Sequence, residues 1–302
     1  AKHFQDHRGR ARYLMDWESH KADWPNADAS YFAPSGKHSW HIQKKGSGAT
    51  LLLLHGTGAS THSWDGLFQR LSLTCNVIAI DLPGHGFTRL GTKHRSSLTH
   101  MAADVMRLCQ DQKIVPNFII GHSAGAAIAL ELSKSLPLSG VIGLNAALSK
   151  FGGIASWAFP MIAKFISLNP FVPSYLAGLG RNPTRVEKLM KETGSRLNDV
   201  QLSRYKALFR DRDHVEGALL MMSQWNLERL LLNLDNLDTP TLLMTGARDG
   251  TVPPKVSRDI AVKLPAAQSL DLPDLGHLAH EEAPELICDE IIRFIKIQQT
   301  GA

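Results

Sequence analysis

The sequence predicts an α/β fold, a mostly parallel sheet flanked by helices and interrupted by an inserted helical cap. From residue 50 onward, short apolar runs alternate with longer amphipathic ones, the strand and helix rhythm of a parallel sheet. That rhythm stops near residue 150 and resumes at residue 239, so a segment of different character has been inserted. With 302 residues, 43% of them apolar, the chain can bury a substantial core.

Taken in order, "SWHIQKK" (39–45) alternates partly and carries charges suited to an antiparallel edge strand. "TLLLLH" (50–55), "NVIAID" (76–81), "NFIIGH" (117–122) and "GVIGLN" (140–145) are each short enough for a strand buried on both faces. Between the second and third of these, "SLTHMAADVMRLCQDQ" (97–112) places Leu98, Met101, Val105, Leu108 and Cys109 on one helical face. After the insertion come "TPTLLMTG" (239–246), "SLDLPD" (269–274) and a closing helix, "PELICDEIIRFIKI" (284–297). The inserted segment reads as three helical stretches, "IASWAFPMIAKFISL", "PTRVEKLMKETGSRL" and "VEGALLMMSQWNLERLLLNL", with Pro160, Pro170, Pro173 and Pro183 as breakers. The expected organisation is an N-terminal extension over 1–35, a core over 36–149, a cap over 150–235 and the rest of the core over 236–302. A cap so inserted would cover the C-terminal edge of the sheet, where open α/β folds bind ligands.

Composition narrows the function. The net charge is +5, but the basic residues are scattered, so the dense stripe expected of a nucleic-acid binder is missing. Cys75, Cys109 and Cys288 are odd in number and widely spaced, which argues against a disulfide framework or a zinc site and suits a reducing cytoplasm. The sequence suggests neither a transmembrane segment nor a signal peptide. Neither GxGxxG nor GxxxxGK[ST] occurs, so no nucleotide cofactor is expected, and no metal.

The chemistry is concentrated at Gly121-His122-Ser123-Ala124-Gly125, a G-x-S-x-G pattern with a strand before it and a helix after it. A serine on so sharp a turn needs small residues two before and two after it, so that strand and helix can approach. The hydroxyl requires a base, and the base a group to hold its tautomer. Asp249 lies just beyond "TPTLLMTG", and His277 follows the next strand in "DLGHLAHEEAP". His280 is the rival base, and Asp235, Asp238 and Asp274 are rival acids; His122 is read as a packing residue of the turn. "HGTG" (55–58), after the first core strand, is the loop suited to an oxyanion hole, formed by the amides of Thr57 and Ala124. "DLPGHGFT" (81–88) reads as a tight turn near the site. In the cap, Trp157, Phe159, Met222 and Trp225 are candidates to line a substrate pocket, beside Met161, Phe165, Phe171 and Met221; at helical spacing such residues also serve simply as core.

The order Ser, Asp, His along the chain is that of the α/β-hydrolases. From about 38 to 297 the chain resembles that superfamily, in its lidded esterase and carbon–carbon hydrolase branch, through "LLLLHGTGAS", "DLPGHGFT", "GHSAG", "GARDGTVPP" and "GHLAHEEAP". With "GLNAAL", "TGSRL" and "MMSQWNL" added, it resembles the BchO-type accessory proteins associated with magnesium chelatase, and this match runs through the cap as well as the core. The resemblance implies an eight-stranded α/β-hydrolase fold and a role in bacteriochlorophyll biosynthesis. It further implies a small-molecule substrate such as a tetrapyrrole or its ester, with magnesium chelatase subunits as partners. Two functions follow: a serine hydrolase acting on an ester, thioester or activated carbon–carbon bond, or a non-catalytic protein that holds a tetrapyrrole or a chelatase subunit on the same scaffold.

Overall fold

The computed structural model describes residues 15–149 and 171–300. Eight strands form one sheet: β1 (Ser30–Ser35), β2 (His38–Lys45), β3 (Thr50–Leu54), β4 (Asn76–Ile80), β5 (Phe118–His122), β6 (Gly140–Leu144), β7 (Thr241–Gly246) and β8 (Ala267–Leu272). Their spatial order is β1-β2-β4-β3-β5-β6-β7-β8. The first two strands run antiparallel to their neighbours and every later pairing is parallel. The sheet therefore begins at Ser30, and six residues assigned to the N-terminal extension belong to it. This also moves β2 from the expected edge to an interior position, because its outer side pairs with β1, whose partner residues are joined to it by a tight turn at Gly36.

The side-chain period of two divides the apolar runs between two layers. Leu52 and Leu54 of β3, with Ile78, Ile80 and Ile119, face helices α3 (Leu98–Asp111) and α4 (Ala124–Ser133). Leu51, Leu53, Val77, Ala79, Phe118 and Ile120 face α2 (Asp65–Leu71) and the long C-terminal helix, Pro284–Thr300. Both faces are buried, which is why these runs are continuously apolar rather than alternating. The three cysteines are free and buried within these layers, and burial pushes the Cys109 thiol up to about 12.

The cap differs in detail from its sequence reading. Its described helices are α5 (Val172–Gly180), α6 (Pro183–Glu192), α7 (Asp199–Arg210), α8 (Arg212–Gln224) and the single turn α9 (Glu228–Leu231). The stretch expected to be helical from 183 to 197 stops at Glu192, because Gly194 turns left-handed at φ 78°. α7 was not expected; Asn198 opens it with a capping box to Gln201. The last expected helix breaks at Trp225, whose backbone is extended. "IASWAFPMIAKFISL" lies outside the described residues.

Residues 15–29 form an arm laid over core and cap together. Trp17, the first residue of α1 (Trp17–His20), and Trp24, beyond its end, both pack edge-to-face with Phe87, the ring centroids 5.0 and 4.8 Å apart. The Met15 amide donates to Asp211 at the start of α8, and Gln43 of β2 donates to the Pro25 carbonyl.

A second junction joins cap and core through Glu281, on the short helix Ala279–Glu282. Its Oε1 accepts from Tyr205 of α7 at 2.6 Å and from Ser63 at 2.5 Å, while Oε2 is buried without a partner. Burial raises its carboxyl to about 7, against the opposing pull of those hydrogen bonds and of Arg204. A carboxyl that ionises near 4.5 when unfolded and about 7 when folded favours the folded state below pH 4.5. That advantage declines through the window up to pH 7, by about 3 kcal/mol, and is constant above it. Denaturant unfolding of parent and Glu281→Gln protein across pH 4.5–8 should therefore show the parent losing stability relative to the variant inside that window. A difference independent of pH would contradict the assignment.

Candidate active site

The carboxyl ends of the parallel strands converge where the strand order reverses: β3 is followed in sequence by β4 on one side and by β5 on the other. This is the position at which open α/β sheets form a crevice. Ser123 follows β5 there, at φ 52° and ψ −116°, a strained conformation for a residue with a side chain. The flanking glycines are required by contact. A Cβ on Gly121 would lie 2.3 Å from the Gly125 carbonyl oxygen, and one on Gly125 would lie 2.0 Å from that of Leu54. Backbone bonds from the Ser123 amide to Leu144 and from the Ala147 amide to the Ser123 carbonyl hold the turn. The serine remains half-buried at the N-terminus of α4, where the helix dipole favours negative charge.

His277 and Asp249 meet. Nδ1 of His277 lies 2.8 Å from Oδ2 of Asp249, whose side chain is inaccessible to solvent. The Asp249 carboxylate also accepts from the amides of Thr251 and Val252 and from Nδ2 of Asn145, each at 2.8 Å. With Nδ1–H committed to Asp249, Nε2 of His277 presents its lone pair. Ser123 Oγ and His277 Nε2 make no hydrogen bond among the described residues. His280 points elsewhere: its Nε2 bonds Ser63, its ring packs on Trp64, and burial lowers it to about 3. Asp274 offers its carbonyl to Arg248 and is not directed at either histidine by any hydrogen bond among the described residues.

His122 supports the site without entering it. Its Nε2–H donates to the His277 carbonyl at 2.9 Å, and burial lowers its basicity well below the ordinary histidine value. The "HGTG" loop passes close above: a Cβ on Gly56 would come within 2.9 Å of both the His122 Nδ1 and the Ser123 Cβ. The Thr57 and Ala124 amides donate no hydrogen bond among the described residues, and Thr57 is half-buried. Asp81, after β4, anchors the surroundings. Burial alone would raise its carboxyl, but His41 at 2.8 Å and the Phe87 amide outweigh that and hold it at about 2.

Some contributors escaped the sequence reading. Asn145, left-handed at φ 48°, follows β6 and donates to both Asp249 and the Gly276 carbonyl. Its signal was an asparagine at a strand's C-terminal end, a residue type that tolerates this backbone. Cap residues Thr193–Ser195 hold the loops that carry Asp249 and His277: the Thr193 carbonyl accepts from the Gly250 and His277 amides, and Ser195 Oγ accepts from the Leu278 amide. Of the residues expected to line a pocket, Trp157 and Phe159 lie outside the described residues. Met222 is half-buried, and Trp225, also half-buried, packs against the core layer of α3 and α4. Its neighbour Met221 is fully buried and its sulfur accepts from the Thr57 hydroxyl at 3.3 Å. Among the described residues no group of three or more His, Cys, Asp or Glu could hold a metal, and no helix is long and apolar enough to cross a membrane.

Comparison with known proteins agrees with this architecture. Residues 51–290 match the alpha/beta hydrolase family. The magnesium-chelatase 30 kDa subunit of Rhodobacter capsulatus is 39% identical over 93% of this chain and 100% of its own length. The pimeloyl-[acyl-carrier protein] methyl ester esterase of Vibrio vulnificus (strain CMCP6) is 27% identical over 84% of this chain and 97% of its own. Among solved structures, a putative lipase from Acinetobacter baumannii AYE superposes with a TM-score of 0.75 at 20% identity, covering 98% of this chain and 100% of that one. A thermophilic esterase from Thermogutta terrifontis gives 0.69 at 20% identity, covering 89% and 98%; at such identities the likeness speaks to the fold. The chain belongs to the alpha/beta hydrolase family and, within it, resembles the BchO-type proteins associated with magnesium chelatase.

Proposed function

We propose that this protein is a serine hydrolase in which Ser123 is the nucleophile, His277 the base and Asp249 the group that orients it. The observation that carries the reading is the 2.8 Å contact between His277 Nδ1 and the buried carboxylate of Asp249, which engages Nδ1–H and leaves Nε2 as the ring's basic atom. Nε2 takes the hydroxyl proton as Ser123 Oγ attacks an acyl carbon, and Asp249 stabilises the imidazolium so formed. The Thr57 and Ala124 amides donate to the developing oxyanion. Collapse of the tetrahedral adduct expels the leaving group, which takes the proton from His277; water then releases the acyl group by the same steps in reverse. An ester, a thioester or an activated carbon–carbon bond suits this chemistry.

The likeness to a magnesium-chelatase subunit supports a place in bacteriochlorophyll biosynthesis, as an accessory to the chelatase acting on a tetrapyrrole or its ester. The same likeness favours a second reading, a non-catalytic protein that binds a tetrapyrrole or a chelatase subunit through the cap. Absorbance titration with protoporphyrin tests it; no spectral shift at micromolar protein would count against tetrapyrrole binding.

A fluorescent fluorophosphonate should label the parent protein and not the Ser123→Ala variant. Equal labelling of both, or of neither by this and smaller acylating reagents, would remove the hydrolase reading. Asn145→Ala should lower the rate of ester hydrolysis by about 10-fold, through a misplaced carboxylate, with KM little changed. Steady-state kinetics with a chromogenic ester would check it, and an unaltered kcat would deny Asn145 any part in holding Asp249.

A further inference from the structure

The "HGTG" loop is gripped from two sides, and one of them is the cap. His55 Nε2 accepts from the Leu82 amide at 2.9 Å, so its proton sits on Nδ1 and donates to the Gly56 carbonyl at 2.8 Å. His214, on α8, is arranged the same way with the nitrogens exchanged. Its Nδ1 accepts from the Gly86 amide at 3.0 Å, so its proton sits on Nε2 and donates to the Gly58 carbonyl at 3.2 Å. Only the neutral ring satisfies both bonds, and burial lowers His214 to about 4, against the pull of Asp211. The Ala59 amide closes the turn onto the Gly56 carbonyl, and Thr57 Oγ1 donates to the sulfur of Met221, one further contact from α8.

These bonds act on the Thr57 amide through peptide geometry. The Gly56 carbonyl and the Thr57 N–H belong to one planar trans peptide and point in opposite directions, so fixing the carbonyl aims the N–H. The Gly58 carbonyl belongs to the peptide whose Ala59 N–H returns to that same Gly56 oxygen. Holding both carbonyls therefore sets the plane between them.

α8 is built to stay in place. A Cβ on Gly217 would lie 2.0 Å from the Gly84 carbonyl oxygen, so helix and loop touch backbone to backbone beside Gly86. Farther along, Glu216 pairs with Lys93, and Gln224 bonds the Lys93 carbonyl and the Ser96 amide.

We propose that α8 of the cap clasps the oxyanion loop, with His214 as a positioning residue that orients the Thr57 amide. The clasp itself stands on the contacts above, whereas its effect on catalysis rests on the hydrolase reading. The test measures amide hydrogen exchange over residues 55–60, together with ester hydrolysis, in the parent and in His214→Ala, His214→Gln and Met221→Leu. His214→Ala should exchange faster in that segment and lose about 10- to 100-fold in kcat, with KM within about twofold. His214→Gln, which keeps a donor for Gly58, should recover much of both. Met221→Leu keeps the core volume, guards against an unfolded His214→Ala, and should by itself raise exchange at Ala59, whose amide closes the turn onto the Gly56 carbonyl. Unchanged exchange over 55–60 in the folded variants would overturn the clasp. Altered exchange with unchanged kcat would overturn the positioning role. A parent protein without Ser123-dependent turnover would instead defeat the hydrolase reading, and the exchange data would still decide the clasp.

Discussion

The structure depends on how closely α4 lies against the end of β3. Gly125 rests on the Leu54 carbonyl, and Gly121 rests on Gly125, with no space for a methyl group at either position. That approach forces the intervening Ser123 into its left-handed turn, sets its hydroxyl at the N-terminus of a helix, and brings the loop after β3 directly above it. The two halves of the candidate site, the serine turn and the loop above it, are thus products of one backbone contact. The strain at Ser123, of order 1–3 kcal/mol, is maintained by the buried apolar layers on both sides of the sheet.

The cap is structural as much as it is a cover. Its Thr193–Ser195 segment supplies acceptors to the loops carrying Asp249 and His277, and α8 supplies a donor and an acceptor to the loop carrying Thr57. Each of these loops leaves the sheet with unpaired backbone groups that must be met once water is excluded. The cap meets them, so the loops are ordered by the element that covers them. Tyr205 and the arm from Met15 tie it down at further points, which makes a freely swinging lid a poor description of its described helices.

The buried histidines follow the same logic. His55, His122 and His214 each use a ring nitrogen to hold a carbonyl, and burial keeps all three uncharged at neutral pH. A neutral imidazole offers one donor and one acceptor at a fixed separation, which suits it to bridging two loops. His277 differs in that its Nδ1 faces the Asp249 carboxylate rather than a backbone group.

The sequence by itself determined the fold class and pointed to the candidate residues after successive strands, because both depend on local signals. Apolar runs of strand length, helical periodicity and glycines around a serine are written over neighbouring residues. Where such signals are weak the sequence is silent: β1, a short edge strand containing a proline, carries no clear apolar alternation, and the cap helices break at Gly194 and Trp225 rather than where their periodicity suggests. Only the tertiary structure decided which carboxylate faces which histidine, that Asn145 serves Asp249, and that a cap histidine grips the Gly58 carbonyl. Asn145 and Asp249 are 104 residues apart and His214 and Gly58 are 156 apart. No periodicity spans such distances; the partners are selected by the packing of strands and helices, which brings remote loop ends within hydrogen-bond reach and excludes the water that would otherwise satisfy them.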